Sequence, residues 1–591
     1  MGRGIVIGVA ALALAAPAVA ATSATTTQKS LPGAVGGGIA ATANTRLTEA
    51  RATRIFLDDD KVADWLEHYP PRLRQTEASY KAGIWTIKVW AGDAGEVATG
   101  RVDDATGAVT EAWTGPQVAW KMARGSAGAF GGKKINTLPI WLGFCALFLV
   151  GLADFRRPLS LRNLDLLALL SFSVSLWFFN RGEIFTSVPL VYPGLVYLLG
   201  RMVWSAWRGR LGTAATPIWP VWLLAAATVF TAGFRIGLNV KASNVIDVGY
   251  AGVIGAERIA VGQAPYGHFP EEGTLETCGP ADADGEIRDR IQTNGRCETA
   301  NALGDTYGPV AYEMYLPGYL ILGWSGKWDD LPAAHLSSIM FDLLCLLGLA
   351  LVGLRFGGAR LAVTLAFAWV AYPFTQYVSN SNTNDALPAL FLIWGFWLVT
   401  SPAARGVAVA LAGWTKFAPL IVAPLWASYP EGLRRPRQKA VFVAAFALAT
   451  VVAFSILLFE PNLLHALRVF WDRTISKQID RQSPFSIWDW RQYHAGLPDL
   501  HILQRVLEAL LVIGAVAVYF FPRRKSPLQL AALTAALLLG FQLVLTHWFY
   551  LYLPWFFPFA AFAVLAPAAE PVPARAPQPL ERPRQELVGV E

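Results

Sequence analysis

The sequence predicts an all-α protein that crosses a membrane many times and carries a small α+β domain near its N-terminal end. The composition predicts the membrane part, since 54% of the 591 residues are hydrophobic and only 15% are charged, with a mean hydropathy of +0.39. A polar stretch at 45–135 predicts the separate domain, because apolar and polar residues alternate within it. The formal net charge of +7 fits clusters of Lys and Arg on cytoplasmic loops. Without a basic stripe or an aromatic platform, this charge does not indicate nucleic-acid binding.

The first 44 residues predict a signal peptide followed by a linker. Arg3 precedes an apolar run at 5–14, and small residues end the segment at Ala20, which is the pattern of a secretory signal peptide at 1–20. The stretch 21–44 is rich in Thr, Ser and Gly and is expected to be a flexible linker. The polar domain that follows is therefore expected outside the cytoplasm.

The domain at 45–135 is expected to contain one helix and a three-stranded meander. The helix is predicted at 47–56 and the strands at 84–90, 96–102 and 108–113. The strand, turn and strand around 102–110 resemble PepSY-type extracytoplasmic domains. That resemblance implies a binding or regulatory role, with plain structural support as the alternative.

Eleven apolar segments are each about long enough for one membrane crossing. They lie at 138–154, 164–180, 186–203, 217–236, 334–354, 361–378, 385–400, 438–459, 503–521, 527–545 and 548–566. The first three form an additional group at 136–210, and the other eight belong to a membrane domain at 217–567. The Pro-rich tail at 568–591 is expected in the cytoplasm.

Two further apolar segments are not expected to cross the membrane. With the N-terminal domain outside, the basic clusters fall on the cytoplasmic side only if 308–326 lies as a helix on the outer surface. The same condition requires that 406–428 forms a re-entrant helical hairpin, whose turn carries Lys416.

This topology places a carboxylate, several cations and many aromatic residues at the outer surface. Asp247 follows the fourth apolar segment and opens a Gly-rich amphipathic stretch. A carboxylate can take a proton from a hydroxyl group, cations can hold a leaving phosphate, and aromatic rings can stack on a sugar. No Gly-rich nucleotide-binding loop is present, so a sugar donor on that side is expected to be anchored in the membrane. The outer acidic residues show no compact ligand spacing, and no metal or cofactor is expected.

Five sequence motifs follow one another in the membrane domain. They are Asp-Val-Gly-Tyr at 247–250, Gly-Gln-Ala-Pro-Tyr at 262–266, Tyr-Gly-Pro at 307–309 with Leu-Pro at 316–317, Gly-Trp-Thr-Lys-Phe-Ala-Pro at 413–419, and Thr-His-Trp at 546–548. In order and spacing they resemble glycosyltransferase family 87. The resemblance implies a GT-C fold in the plasma membrane. It also implies transfer of a sugar, with mannose as the first expectation, from a polyprenyl-phosphate donor to a hydroxyl of an envelope glycolipid or polysaccharide.

The resemblance implies that Asp247 is the catalytic base and that Lys416 and His547 bind the donor phosphate. Arg473 and Arg481 are expected to bind phosphate as well, because the guanidinium group suits phosphate geometry. Contacts with the sugar or acceptor are expected from Tyr250, Tyr266, Tyr307, Asn384, Asp385, Gln482 and Trp488. The predicted reaction is a single displacement, which gives an α product from a β-linked donor.

Structural interpretations remain open for these residues. Asp247 and Asp385 could be helix N-caps, and Lys416 could lie at a helix end with its charge directed to water. His547 could be an interfacial hydrogen-bonding residue, and the two Arg residues could be solvated loop charges. Cys278 and Cys297 share a polar loop and either form a disulfide or remain free thiols. Asp342 lies inside an apolar segment, and the sequence indicates no partner for it.

Two other functions are compatible with the membrane topology. A transporter or flippase of lipid-linked saccharides would require an inverted internal repeat and paired charges at membrane depth. An envelope sensor built on the N-terminal domain would require a cytoplasmic output domain. The sequence shows neither the repeat nor the output domain, and a glycosyltransferase is the favoured interpretation.

Overall fold

The computed structural model describes most of the chain outside the two termini. The described residues are 45–125, 134–208, 218–270, 276–280, 287, 289–292, 295–301, 304–325, 331–431, 435–479, 481–494 and 496–566. The predicted signal peptide at 1–20, the linker at 21–44 and the tail at 568–591 lie outside these residues.

The N-terminal domain contains two helices and a four-stranded antiparallel sheet. The helices are Glu49–Leu57 and Asp60–Leu66, and the strands are Arg74–Lys81 (β1), Ile84–Ala91 (β2), Glu96–Asp103 (β3) and Val109–Thr114 (β4). The strands pair in the order β1-β2-β3-β4. The predicted three-stranded meander lacks β1. This strand lies at the edge of the sheet, its residues are mostly polar, and most of its side chains are exposed.

The core of this domain forms where the first helix packs on the sheet. Phe56 of that helix and Ile87, Val89 and Val102 of the sheet are fully buried. The Asp104 carboxylate in the turn after β3 accepts hydrogen bonds from the Leu47 backbone and the Trp85 ring nitrogen, both at 2.9 Å. This turn therefore ties the start of the domain to its sheet.

The domain packs directly against the membrane part. After β4 comes a short helix, Pro116–Ala119, and the Gln117 side chain donates a hydrogen bond to the Gly182 carbonyl at 3.0 Å. Ala123 is buried in the core of the membrane part. The Trp65 ring stacks on Phe185 with centroids 5.9 Å apart. The two parts therefore share an interface formed by conventional side-chain packing.

Seven helices among the described residues are long and apolar enough to cross a membrane. They are Leu161–Phe179, Ile184–Arg208, Val221–Ala242, Pro332–Ala371, Pro436–Phe459, His501–Phe520 and Pro527–Val544. Shorter apolar helices lie at Leu138–Leu152, Ala418–Ala427 and Tyr550–Leu565. A helix at Leu387–Trp397 occupies the predicted segment 385–400. The number of full crossings stays a prediction.

The 40-residue stretch Pro332–Ala371 consists of two helices rather than one. Gly357 and Gly358 have non-helical backbone angles, and Gly358 has a φ of +68°. A Cβ placed on Gly353 would lie 2.3 Å from the Cα of Ala362, so the chain reverses at this break and the two halves pack side by side. The separate segments predicted at 334–354 and 361–378 correspond to these halves.

The segment predicted as a re-entrant hairpin has two short helical halves. Pro402–Thr415 is a helix, Lys416 has extended backbone angles, and the second half is Ala418–Ala427. Arg405 in the first half donates hydrogen bonds to the Trp426 carbonyl at 3.1 Å and the Tyr429 carbonyl at 2.9 Å, at the end of the second half. The two ends of the hairpin therefore lie together, and Lys416 lies at its tip.

Short elements fill the remaining loops. They are the helices Asp247–Ala260, Pro309–Glu313, Leu316–Leu322, Pro373–Ser379, Leu463–Trp471, Lys477–Ile479 and Trp490–Tyr493, and the strands Asp289–Ile291 and Cys297–Thr299. The predicted surface helix at 308–326 corresponds to two of these short helices, with a break between Glu313 and Leu316. Cys278 and Cys297 form a disulfide with Cα atoms 6.0 Å apart.

Candidate active site

The start of the helix Asp247–Ala260 is held against the loop that precedes Asp385. The Ile246 backbone donates a hydrogen bond to the Ser381 carbonyl at 3.4 Å. A Cβ on Gly249 would lie 2.3 Å from the Asn382 carbonyl oxygen, so only glycine allows this approach. These two contacts therefore bring Asp247 and Asp385 into one region of the structure.

Asp247 is the first residue of its helix rather than an N-cap. Ile246 occupies the cap position, and no side chain caps this helix. The residue Asp247 has exposed surface, although burial is the largest influence on the pKa of its carboxyl group. These two observations together describe a group that lines an opening in the protein.

The surroundings of Asp247 adjust its basicity. Burial raises the pKa of the Asp247 carboxyl above its ordinary value, and the positive charges of Arg481 and then Lys416 oppose that rise, as does the Val248 backbone N–H. The negative charge of Asp385 raises the pKa further. A carboxylate that is more basic than usual and accessible from an opening is suited to accept a proton from a hydroxyl group.

Lys416 lies between a carboxylate and three aromatic rings. Its ammonium group forms an ion pair with Asp385, whose side chain has no exposed surface. It also lies 5.4 Å from the ring centroid of Tyr307, 5.2 Å from that of Tyr552 and 5.6 Å from that of Trp555. These contacts fix the ammonium group at the tip of the hairpin, where its charge reaches Asp247.

His547 lies within the electrostatic reach of Arg481 and Lys416. Its Nδ1 atom is 2.9 Å from the Ser483 hydroxyl oxygen. Burial, together with the positive charges of Arg481 and Lys416, lowers the pKa of His547 well below its ordinary value. This shift favours a neutral imidazole, and the binding of the donor phosphate by His547 stays a prediction.

Arg481 approaches both Asp247 and His547, as their shared electrostatic effects show. Its guanidinium carbon lies 5.7 Å from the ring centroid of Trp120, a residue of the segment after β4. Among the described residues, no carboxylate lies within ion-pair distance of Arg481. Its charge is thus available to a bound anion.

Several predicted contact residues do not reach this opening. Tyr250 and Tyr266 are buried, and their hydroxyls donate to the carbonyls of Thr299 at 2.7 Å and Tyr307 at 3.0 Å. Both side chains are almost fully covered by protein, and their contact with a sugar stays a prediction. These two residues hold the loop that leads to Tyr307.

The four other predicted site residues in the surrounding loops are buried, paired or exposed. Trp488 is buried and donates to the Leu543 carbonyl at 3.0 Å, whereas Gln482 is exposed. Arg473 pairs with Asp305 at 3.4 Å. Asn384 is fully buried, and its amide atoms find no hydrogen-bond partner among the described residues. Of these four, only Gln482 exposes a largely accessible side chain.

The sequence did not indicate four of the residues that surround this site. Trp120, Ser483, Tyr552 and Trp555 contact His547, Arg481 or Lys416. None belongs to a motif with a chemical signature of its own. Trp120 lies in the segment after β4, far along the chain from the residues that it contacts. Among the described residues, no group of three or more His, Cys, Asp or Glu forms a metal site.

The partner of Asp342 is Arg235, in the helix Val221–Ala242. Arg235 Nη2 lies 2.5 Å from Asp342 Oδ1, Arg235 Nε lies 3.2 Å from Oδ2, and the Trp369 ring nitrogen donates to Oδ1 at 2.8 Å. The pair joins the helices Val221–Ala242 and Pro332–Ala371. Each carboxylate oxygen is satisfied, so the pair is a fixed connection between these helices.

Comparison with protein-family models matches part of the chain. No curated protein matches the chain, and no solved structure does. The matched part of the chain is shorter than half of its length. It includes Asp385, Lys416 and Arg481, whereas Asp247 lies before it and His547 directly after it. The residues from 312 to 546 match the family model of glycosyltransferase family 87, and this match indicates that the protein is a glycosyltransferase.

Proposed function

We propose that the protein transfers a hexose, with mannose as the first candidate, from a polyprenyl-phosphate donor to a hydroxyl of an envelope glycolipid or polysaccharide. The reaction takes place at the extracytoplasmic surface of the plasma membrane. The observation that carries the proposal is the position of Asp247, whose enclosed but accessible carboxylate lies within the electrostatic reach of Arg481 and Lys416.

The residues around the opening act on both the acceptor hydroxyl and the leaving phosphate. The Asp247 carboxylate accepts the proton of the acceptor hydroxyl while the hydroxyl oxygen forms a bond to the anomeric carbon. The bond from that carbon to the phosphate oxygen breaks, and the polyprenyl phosphate leaves with the bonding electrons. Attack from the opposite face inverts the anomeric carbon, so a β-linked donor gives an α-linked product.

The leaving phosphate is stabilised chiefly by Arg481. The guanidinium group can donate two parallel hydrogen bonds to phosphate oxygens. When the Ser483 hydroxyl donates to Nδ1 of His547, the proton of that ring lies on Nε2 and is available to a phosphate oxygen. Lys416 contributes less, because Asp385 already balances its charge.

The test is sugar transfer in membranes that contain the protein. Membranes are supplied with radiolabelled mannosyl polyprenyl phosphate or, separately, with nucleotide-linked mannose, and labelled lipid and polysaccharide are measured. The proposal predicts transfer from the lipid-linked donor alone, with an α linkage from a β-linked donor. Transfer from the nucleotide-linked sugar, or a product that retains the donor configuration, would contradict it.

If mannose is not transferred, other polyprenyl-linked hexoses are supplied under the same conditions. Failure of all of these donors would reject the proposed donor class. Transfer of another hexose would correct the sugar and leave the mechanism in place.

A further inference from the structure

Trp120 brings the N-terminal domain into the candidate active site. This residue follows β4, and its half-buried ring contacts residues from two distant loops. Its centroid lies 5.7 Å from the Arg481 guanidinium carbon, 5.8 Å from the His547 ring and 5.4 Å from the Phe485 ring. Trp120 is therefore the point at which this domain contacts two residues of the proposed phosphate site.

A hydrogen bond also fixes the ring of Trp120. Its Nε1 donates a hydrogen bond to the Tyr493 hydroxyl at 3.1 Å. Gln117, three residues earlier, is bonded to the Gly182 carbonyl, and Trp65 stacks on Phe185. These contacts fix the domain on the membrane part at separate points, and they leave one part of the Trp120 ring for Arg481.

An aromatic ring acts on an Arg side chain through electrostatics and geometry. The negative face of the indole attracts the guanidinium group, and the contact restricts a side chain that otherwise has many rotamers. A cation that is already oriented loses less entropy when it binds a phosphate. Because Arg481 also lowers the pKa of Asp247, its position affects the base as well as the anion site.

We propose that Trp120 is a positioning residue that orients Arg481 for the donor phosphate, so that the N-terminal domain is a part of the catalytic unit. This role rests on the proposed transferase function. It differs from simple anchoring of the domain, which depends on packing at position 120 and on the hydrogen bond to Tyr493, and not on the aromatic face toward Arg481.

The test compares variants that keep or remove the aromatic face. Trp120→Phe retains a ring and loses the hydrogen bond to Tyr493, whereas Trp120→Leu retains apolar volume without a ring. Tyr493→Phe removes the same hydrogen bond and leaves the indole. Trp90→Ala removes an exposed Trp of β2 in the same domain and is the control for a Trp substitution elsewhere.

Kinetics with mannosyl polyprenyl phosphate distinguish the two roles. We expect Trp120→Leu to raise the KM for the donor about tenfold, while Trp120→Phe, Tyr493→Phe and Trp90→Ala stay within about threefold of the wild type. In Trp120→Leu the acidic limb of the pH profile of kcat/KM should also move to higher pH, because Arg481 no longer lowers the pKa of Asp247. Anchoring alone would not move this limb.

Two results would overturn the role of Trp120 while leaving the transferase function in place. One is wild-type kinetics in Trp120→Leu. The other is an equal loss in Trp120→Leu, Trp120→Phe and Tyr493→Phe, accompanied by a lower thermal midpoint in detergent, which is the result expected of an anchor. If Trp120→Leu does not accumulate, Trp120→Met serves as the variant without a ring, with the same expected results. Absence of transfer by the wild type from every polyprenyl-linked hexose would instead overturn the proposed function, and this role with it.

Discussion

Asp247 and Arg481 show how the single residues of this site depend on one another. Enclosure by protein makes the Asp247 carboxylate more basic, and the Arg481 charge limits that effect. The same Arg481 charge helps to keep His547 neutral. One cation thus sets the protonation of the proposed base and of a proposed hydrogen-bond donor to the phosphate.

Replacing Arg481 by Gln should therefore change the pH dependence of transfer. The base must be deprotonated, so activity is lost as the pH falls through the pKa of Asp247, which lies above the ordinary Asp value of 3.8. Without the Arg481 charge this pKa rises, and the acidic limb of kcat/KM should move to higher pH, together with a higher KM for the donor. The measurement is the pH profile of kcat/KM for both proteins. A limb that stays in place or moves to lower pH would show that Arg481 does not act on the base.

The sequence could indicate the residues of this site that belong to motifs. Asp247, Lys416 and His547 were expected from the family resemblance, and Arg481 from phosphate chemistry. The structure brings Arg481 and Lys416 within electrostatic reach of both Asp247 and His547. The sequence could not indicate that Asp385 pairs with Lys416, because a carboxylate at a helix start is equally compatible with capping or with sugar contact. The sequence could not indicate Trp120 either, because its contact with Arg481 joins parts of the chain that are far apart.

At the scale of elements, the close approach of two loops places Asp247. The helix Asp247–Ala260 begins against the Asn382 carbonyl, and Gly249 permits this contact. If this helix shifted, Asp247 would move away from the groups that adjust its pKa.

A methyl group at Gly249 should therefore disturb both stability and transfer. In Gly249→Ala the new Cβ meets backbone at 2.3 Å, and we expect the free energy of unfolding to fall by roughly 1–3 kcal/mol. Transfer should fall as well, because the start of the helix must move. The control is Gly237→Ala in the preceding helix, where nothing lies within 4 Å of the new Cβ.

Unfolding in detergent and radiolabelled transfer are measured for both Gly variants. Equal behaviour of the two variants would contradict the importance of this contact.

Predictions for elements succeeded where length and charge constrained the chain. A long apolar run with basic residues at its ends predicts a membrane helix, and the break at Lys416 followed from the positions of the basic clusters. Strand β1 could not be predicted in this way, because its exposed polar side chains carry no alternating pattern. The boundary of the N-terminal domain was also difficult to define, since Ala123 already packs in the core of the membrane part.

At the scale of the whole molecule, a buried ion pair connects helices that lie behind the site. Arg235 and Asp342 satisfy each other with two hydrogen bonds, and Trp369 donates a third. The Arg235 side chain also donates to the Val370 carbonyl at 3.1 Å and to Thr375 at 3.0 Å. The pair therefore holds the backbone that leads into the loop before Asp385.

Removing one member of this pair should cost more than removing both. Arg235→Met or Asp342→Leu leaves one buried charge without its partner, which typically costs about 3–5 kcal/mol. The double variant leaves no unpaired charge and should recover most of that stability and the transfer activity. The check is unfolding in detergent and accumulation in membranes. A double variant that is less stable than either single variant would assign the pair another role.

The most direct test of the central claim is transfer of radiolabelled mannose from polyprenyl phosphate by the wild type and by Asp247→Asn at equal abundance. The exposed carboxylate of Asp499 provides the control variant, Asp499→Asn. If Asp247 is the base, Asp247→Asn should lower kcat by at least about 10²-fold, while Asp499→Asn should retain wild-type activity. Full activity of Asp247→Asn would contradict the assignment of the base, even if the protein transfers sugar.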